Sequence, residues 1–218
     1  MRTPKTFLSA IADTRTAKSA LLGLAALGVG GAIVMSPTAA HAAEGSSPAP
    51  ASKVASYDGA LQPNGYYCGP AATRIALTAH GMAPSFDGLA GKLGTTTSGT
   101  NSINEITRVL NEHVGGRYQS VEISGSKASP EQTEKLRTDV VTSVTEGDPV
   151  VANIAGTVTD TAGERHSYQG GHYLTVTGYT DEGRTVTITD PADRVGSNEY
   201  QLPVDKLANW TATRGYTA

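Results

Sequence analysis

The 218-residue sequence contains a single cysteine, Cys68, so an intramolecular disulfide is excluded. Small exported domains held together by disulfides need several cysteines, and this chain is not of that class. The five histidines are widely scattered and have no short spacing to the cysteine, which argues against a zinc site. We expect neither a metal nor another cofactor. The lone thiol is therefore buried and inert, joined to another chain, or reactive.

A basic excess is also absent, since the chain has 17 basic and 20 acidic residues. Removal of residues 1–42 would take away four basic residues and one acidic residue, leaving 13 basic against 19 acidic. A mildly acidic surface argues against nucleic acid or an anionic membrane as partner. We expect a monomer whose partner is a peptide or protein substrate.

No apolar run reaches the roughly 18 to 20 residues that a membrane-spanning helix needs. The longest run, Ala20–Met35, contains four glycines, follows a basic start, and precedes the small residues Ala40 and Ala42. This order predicts a secretory signal peptide over residues 1–42, and an uncleaved membrane anchor is the alternative. We expect a secreted protein, free or associated with the cell wall, without stable membrane insertion after cleavage.

Residues 43–56 are rich in Ala, Ser and Pro and show no periodicity, which predicts a flexible lead-in. Residues 57–218 then have the length of one ordinary domain.

Apolar residues at helical spacing predict helices over Cys68–His80, Ser102–Val114 and Ser129–Val144, the last two each opened by a capping box. The period then changes to two, and strands are predicted over Pro149–Ile154, Tyr173–Tyr179 and Thr185–Thr189. A short final helix is predicted within Leu202–Trp210. Helices followed by strands are typical of an α+β domain, here a helical N-terminal half on an antiparallel sheet.

Cys68 is placed at the predicted start of the first helix, where the helix dipole and unpaired backbone N–H groups favour a thiolate. Gly69 would allow backbone or substrate to approach closely. Gln62, six residues before the cysteine, can supply an amide N–H beside the Cys68 backbone N–H. Two converging donors are what a developing oxyanion requires. A reactive thiol is the preferred interpretation, and a buried inert cysteine is the alternative.

A thiolate nucleophile needs a base to exchange its proton, and His172 is the preferred candidate because Gly170 and Gly171 leave room around its ring. Asp190 follows the next predicted strand, so a hairpin would return it to the same end of the sheet as His172. An ordinary turn aspartate is the alternative for Asp190. His166 is the rival base, but we expect it in an exposed loop before the strand.

Gln62 with "YYCGPAA", then "GGHYLTVTGY" and "ITDPA", resemble the C39-like secreted cysteine peptidases of bacteria. The resemblance runs from about residue 62 to residue 210. It implies a papain-like fold and hydrolysis of peptide bonds through an acyl-enzyme. It further implies that Cys68 is the nucleophile, His172 the acid and base, Asp190 the orienting residue, and Gln62 part of the oxyanion hole.

The substrate groove is expected to involve four residues near the motif ends: Tyr67, Gly69, Gly171 and Trp210. The same catalytic residues would also serve an acyltransferase or a deamidase, which motifs alone do not separate. A catalytically silent cell-surface binding module is the alternative from a different class.

Overall fold

The computed structural model describes residues 48–192 and 198–218. The predicted signal peptide, residues 1–42, and the first part of the predicted lead-in lie outside the described residues. Within the described part of the chain, no helix is both long enough and apolar enough to cross a bilayer.

The described residues form five α-helices: α1 Cys68–Thr78, α2 Phe86–Leu93, α3 Ile103–Val114, α4 Pro130–Glu146 and α5 Val204–Trp210. Four of them match the predicted helices. The helix α2 was not predicted because two glycines, Gly88 and Gly91, interrupt its short apolar pattern. Its ends are nevertheless well defined, since Ser85 caps its start and Gly94 ends it in the left-handed conformation.

The two predicted capping boxes differ in outcome. At α4, Ser129 accepts from the Gln132 backbone and the Gln132 side chain accepts from the Ser129 backbone, as predicted. At α3, the Ser102 side chain makes no cap hydrogen bond, so this box was wrong although the helix begins there. The carboxylate of Glu105 instead pairs with Arg108 one turn later.

In the described part of the chain, seven strands form one sheet: β1 Lys53–Val54, β2 Ser120–Val121, β3 Val150–Thr159, β4 Arg165–Thr180, β5 Thr185–Thr189, β6 Glu199–Pro203 and β7 Tyr216–Thr217. The order is β2-β7-β3-β4-β5-β6, with β1 also paired to β4, and every pair is antiparallel. The predicted strand at Tyr173 is the second half of β4, which begins at Arg165. Gly170 and Gly171 concealed this continuity in the sequence, because glycine is depleted from strand interiors.

The sheet lies between two hydrophobic cores. Along β3, Val150, Ala152 and Ile154 pack with α4 and α5. Val151, on the opposite face, packs with α1, α2 and α3. This alternation follows from the period of two in a strand with both faces covered. The α+β prediction with an antiparallel sheet is confirmed, with the addition that helices cover both faces.

The predicted flexible lead-in is wrong for its last residues. Lys53 and Val54 pair with β4 opposite Tyr179 and Gly178, and Ala55 is buried. Gly178 allows this approach, because a side-chain carbon there would lie 3.0 Å from both the Lys53 carbonyl oxygen and a Val54 methyl. The folded domain therefore includes residues before the predicted boundary at residue 57.

Candidate active site

Cys68 is the first residue of α1 and is buried. Tyr67, the residue before it, provides no side-chain cap, so the helix start depends on backbone contacts. The Ala71 N–H donates to the Tyr67 carbonyl and begins the helical ladder. The thiol is thus held at the positive end of an eleven-residue helix, as the sequence predicted.

His172 and Asp190 are joined by a buried hydrogen bond of 2.7 Å between His172 Nε2 and Asp190 Oδ1. The β4–β5 hairpin brings them together, because Thr175 pairs with Thr189 and the chain then continues to Asp190. A bulge precedes the histidine: His172 faces Ile154 and Tyr168 faces Gly156, so three residues of β4 lie opposite one of β3. The positional prediction for Asp190 agrees with this geometry.

The carboxylate of Asp190 is fully buried and accepts hydrogen bonds at both oxygens. Besides His172, the Ala192 N–H donates to Oδ1 at 2.9 Å. The hydroxyls of Tyr168 and Tyr200 donate to Oδ2 at 2.9 and 3.0 Å. Burial raises the pKa of Asp190, but these donors and the His172 charge outweigh it and hold the pKa below its usual range. The residue is therefore ionised at neutral pH.

His172 lowers the pKa of Cys68, and Cys68 raises the pKa of His172. Burial raises the pKa of the Cys68 thiol, while a hydrogen bond and the charge of His172 lower it to a net value below the ordinary one. Burial lowers the pKa of His172, but its hydrogen bonds with Asp190 and Cys68 raise it to about 9. Because Nε2 faces Asp190, the other ring nitrogen, Nδ1, is left to exchange a proton with the thiol. This arrangement favours a thiolate–imidazolium pair.

The ring of Tyr168 covers the imidazole. The two ring centroids are 4.0 Å apart and the ring planes differ by 17°. Tyr168 therefore touches both members of the pair, His172 by stacking and Asp190 by its hydroxyl. Tyr168 lies four residues before His172, a spacing that puts both on the same face of a strand. The predicted strand began only at Tyr173, so the sequence analysis did not relate Tyr168 to His172.

A cavity of about 150 Å³ opens beside the thiol, and its lining residues are Cys68, Ser98, Gly99, Thr100, Asn101, Asn153, Gly170, Gly171, His172, Tyr173 and Arg214. Of the predicted groove residues, Gly171 lies in this lining. Gly69 is buried against Thr100, whose hydroxyl oxygen would lie 2.2 Å from any side-chain carbon at Gly69. The Thr100 side chain thus occupies the space at Gly69 where backbone or substrate was expected, and Gly69 does not line the cavity.

The other predicted groove residues lie outside this lining. Tyr67 donates its hydroxyl to Asp87 at 2.8 Å. Trp210 is buried in the core, 6.1 Å from the Tyr168 ring, and lines a separate cavity.

Gln62 is buried before α1; its backbone N–H donates to the Pro191 carbonyl and its amide nitrogen donates to the Asn64 carbonyl at 2.7 Å.

The expectation for His166 was wrong in its location. His166 is buried within β4, bonds Asp160 at 3.2 Å, and stacks on Tyr200 with centroids 3.7 Å apart. The loop prediction failed because β4 begins at Arg165 instead of Tyr173. His166 is absent from the lining of the cavity beside Cys68. Within the described residues, no cluster of three or more acidic, histidine or cysteine side chains could hold a metal ion.

The family model described as the Peptidase C39-like family matches residues 54–218. The chain belongs to this family. Its fold is that of the papain-like cysteine peptidases, and the family assignment makes it a cysteine peptidase. No curated protein sequence is significantly similar to the chain.

Two solved structures share the fold of this C39-like peptidase at low sequence identity. A protein described as a C39-like peptidase from Bacillus anthracis is 13% identical, with a TM-score of 0.52 over 76% of this chain and 96% of its own. Xylellain, a cysteine protease from Xylella fastidiosa, is 10% identical, with a TM-score of 0.50 over 77% of this chain and 85% of its own. At such identities the likeness extends to the fold.

Tyr168 provides a test of how the site is held. Tyr168→Phe keeps the ring on His172 and removes one of four donors to Asp190, so kcat/KM for peptide hydrolysis should fall about threefold to tenfold. Tyr168→Ala removes the ring as well and should lower it about a hundredfold. Tyr118→Phe is the matched control, because its hydroxyl bonds the Pro149 carbonyl away from the site. Near wild-type kcat/KM in Tyr168→Ala would contradict this role.

Proposed function

We propose that this C39-like peptidase hydrolyses peptide bonds by covalent catalysis, with Cys68 as nucleophile, His172 as acid and base, and Asp190 as the residue that orients His172. The observation that carries the proposal is the buried 2.7 Å bond between His172 and Asp190 beside a thiol whose pKa is lowered. An imidazole fixed through Nε2 presents its remaining nitrogen to the thiol in one orientation.

In the first step the Cys68 thiolate attacks the carbonyl carbon of the scissile bond and forms a tetrahedral intermediate. The imidazolium of His172 then donates its proton to the leaving amine as the carbon–nitrogen bond breaks. The amine product departs, and the remaining acyl group is bound to Cys68 as a thioester. One carbon–sulfur bond forms as one carbon–nitrogen bond breaks, and the amine takes its proton from His172, so the step needs no cofactor.

In the second step His172, now neutral, takes a proton from water, and the resulting hydroxide attacks the thioester carbonyl. The carbon–sulfur bond breaks, the carboxylic acid product leaves, and the thiolate and imidazolium are restored. Asp190 stays ionised throughout, because its four hydrogen-bond donors hold its pKa low. Its charge stabilises the imidazolium each time that form returns.

The negative oxygen of both intermediates needs donors, and we assign these to the Cys68 backbone N–H and the Gln62 side-chain amide. The position of Gln62, six residues before Cys68 in the segment that leads into α1, supports this assignment. An amide nitrogen carries two hydrogens, so its bond to the Asn64 carbonyl is compatible with donation to substrate. Loss of one such donor typically lowers kcat about a hundredfold to a thousandfold.

We further propose that the protein is secreted as a monomer after removal of residues 1–42. The order of basic, apolar and small residues in this segment supports export. N-terminal sequencing of protein recovered from the culture medium tests the proposal. Ala43 as the first residue is the expected result, whereas protein kept inside the cell with its first 42 residues intact would contradict it.

Cys68→Ala tests the chemistry directly. Loss of the nucleophile should lower hydrolysis of a defined peptide mixture at least about a thousandfold, because no other thiol exists in the chain. Product masses measured after incubation identify the reaction. His172→Ala should be similarly inactive, and His113→Gln is the matched control that keeps activity, since the His113 ring bonds the Val109 carbonyl within α3 and does not line the cavity beside Cys68.

The same masses separate the alternatives. Fragments whose summed mass equals substrate plus water indicate hydrolysis. An unbroken peptide with slightly increased mass indicates deamidation, and a product joined to an added amine indicates acyl transfer. Equal turnover by wild type and Cys68→Ala would overturn the proposed function, and peptide binding without any product would favour the binding module.

A further inference from the structure

Arg214 has a position that the proposed mechanism does not use. It lies in the turn between α5 and β7, where its backbone N–H donates to the Thr211 carbonyl. Its side chain is exposed, and among the described residues the guanidinium has no ion pair within 4.0 Å and no side-chain hydrogen bond. Arg184, in contrast, is bonded to both Asp181 and Glu182. Arg214 is thus a cation with no anionic partner among residues 48–192 and 198–218.

The guanidinium lies against the backbone of Gly171, next to His172. A side-chain carbon built at Gly171 would lie 2.9 Å from one terminal nitrogen of Arg214 and 3.2 Å from its central carbon. Gly171 also has a φ of 98°, in the region that favours glycine. The missing side chain therefore gives Arg214 access to the mouth of the site.

Two cavities meet at Arg214. The cavity of about 150 Å³ contains Cys68 and His172, and a larger one of about 440 Å³ extends toward Ser102 and Gly125. Both are lined by Asn101, Asn153 and Arg214, so the two cavities are adjacent at these residues. A peptide whose scissile carbonyl lies at Cys68 and whose chain extends toward the larger cavity would pass the guanidinium close to the bond that is cut.

A guanidinium binds a carboxylate through two parallel charge-assisted hydrogen bonds. Its hydrogen bonds to a backbone amide or a neutral side chain are weaker, because those acceptors carry no charge. Glu122 lines only the larger cavity, so an acidic group further from Cys68 would meet a like charge. Arg214 therefore adds a positive charge to both cavities, and Glu122 adds a negative charge to the larger one.

We propose that Arg214 is a specificity-determining residue that binds a carboxylate of the peptide substrate near the scissile bond. The inference rests on the proposed peptidase function and names a substrate class for it. The carboxylate comes from an Asp or Glu side chain or from a free C-terminus, and the two sources require different peptides to distinguish.

The test begins with a library of synthetic peptides cut by the wild-type enzyme, with cleavage positions read by mass spectrometry. Matched pairs then carry Glu or Gln at each position flanking the cut. Wild type should cleave the Glu member about tenfold faster in kcat/KM at one position, as expected of a charge-assisted contact. Arg214→Gln should reduce the Glu/Gln ratio to about one, and Arg214→Glu should invert it.

Arg184→Gln is the matched control, because it removes the same charge at the β4–β5 turn. Its Glu/Gln ratio should equal that of wild type. Amidation of the C-terminus tests the other source: if Arg214 binds the terminal carboxylate, wild type should cleave the free peptide faster than its amide, and Arg214→Gln should abolish that difference. No preference for either carboxylate in wild type, or a preference that is unchanged in Arg214→Gln, would overturn the inference.

Binding of the same fluorescent peptides to Cys68→Ala separates this inference from the proposed function. Tighter binding of the carboxylate peptide that Arg214→Gln abolishes, without cleavage by wild type, would support the subsite and overturn hydrolysis. Cleavage by wild type without any carboxylate preference would keep hydrolysis and overturn the subsite. Neither binding preference nor cleavage would overturn both.

Discussion

The hydrogen bond between Asp190 and His172 is the constraint on which the rest of the site depends. A carboxylate buried to this degree is stable only when its oxygens are fully hydrogen-bonded. The hydrogen-bond donors to the Asp190 carboxylate come from β4, from β6 and from the turn after β5. These three segments must keep their register for the carboxylate to keep all its hydrogen bonds. Removing one member of such a buried pair typically costs about 3–5 kcal/mol.

Burial raises the pKa of both Asp190 and Cys68, but different groups offset it at each residue. At Asp190 burial is offset by four donors, and the ionised state persists. At Cys68 burial alone would favour the neutral thiol, so the charge of His172 is needed to reverse that preference. The imidazolium in turn depends on Asp190. Asp190 therefore stabilises the imidazolium, and the imidazolium stabilises the thiolate at the start of α1. The ring of Tyr168 covers His172 on one side.

Much of this arrangement could be predicted from local sequence. The start of α1 at Cys68, the cap of α4 and the hairpin that carries Asp190 back to His172 are determined by short-range patterns and turn residues. Tyr168, His166 and Arg214 could not be placed in this way. The first two needed the full length of β4, which its glycines concealed, and Arg214 reaches the site only because Gly171 lacks a side chain. The β1 pairing depends in the same way on Gly178, far away in the sequence.

The most direct test of the thiolate–imidazolium pair is the rate of Cys68 alkylation by iodoacetamide between pH 4 and 10, read by intact mass. The lowered pKa of Cys68 predicts fast labelling well below the ordinary thiol pKa of about 8.5, with a second change near pH 9 where His172 loses its proton. In His172→Ala the buried thiol should lose this reactivity at low pH, because burial, the largest influence, then raises its pKa against only the backbone hydrogen bonds of Tyr173 and Gly69. A single rise near the ordinary thiol pKa in wild type, unchanged in His172→Ala, would contradict the pair.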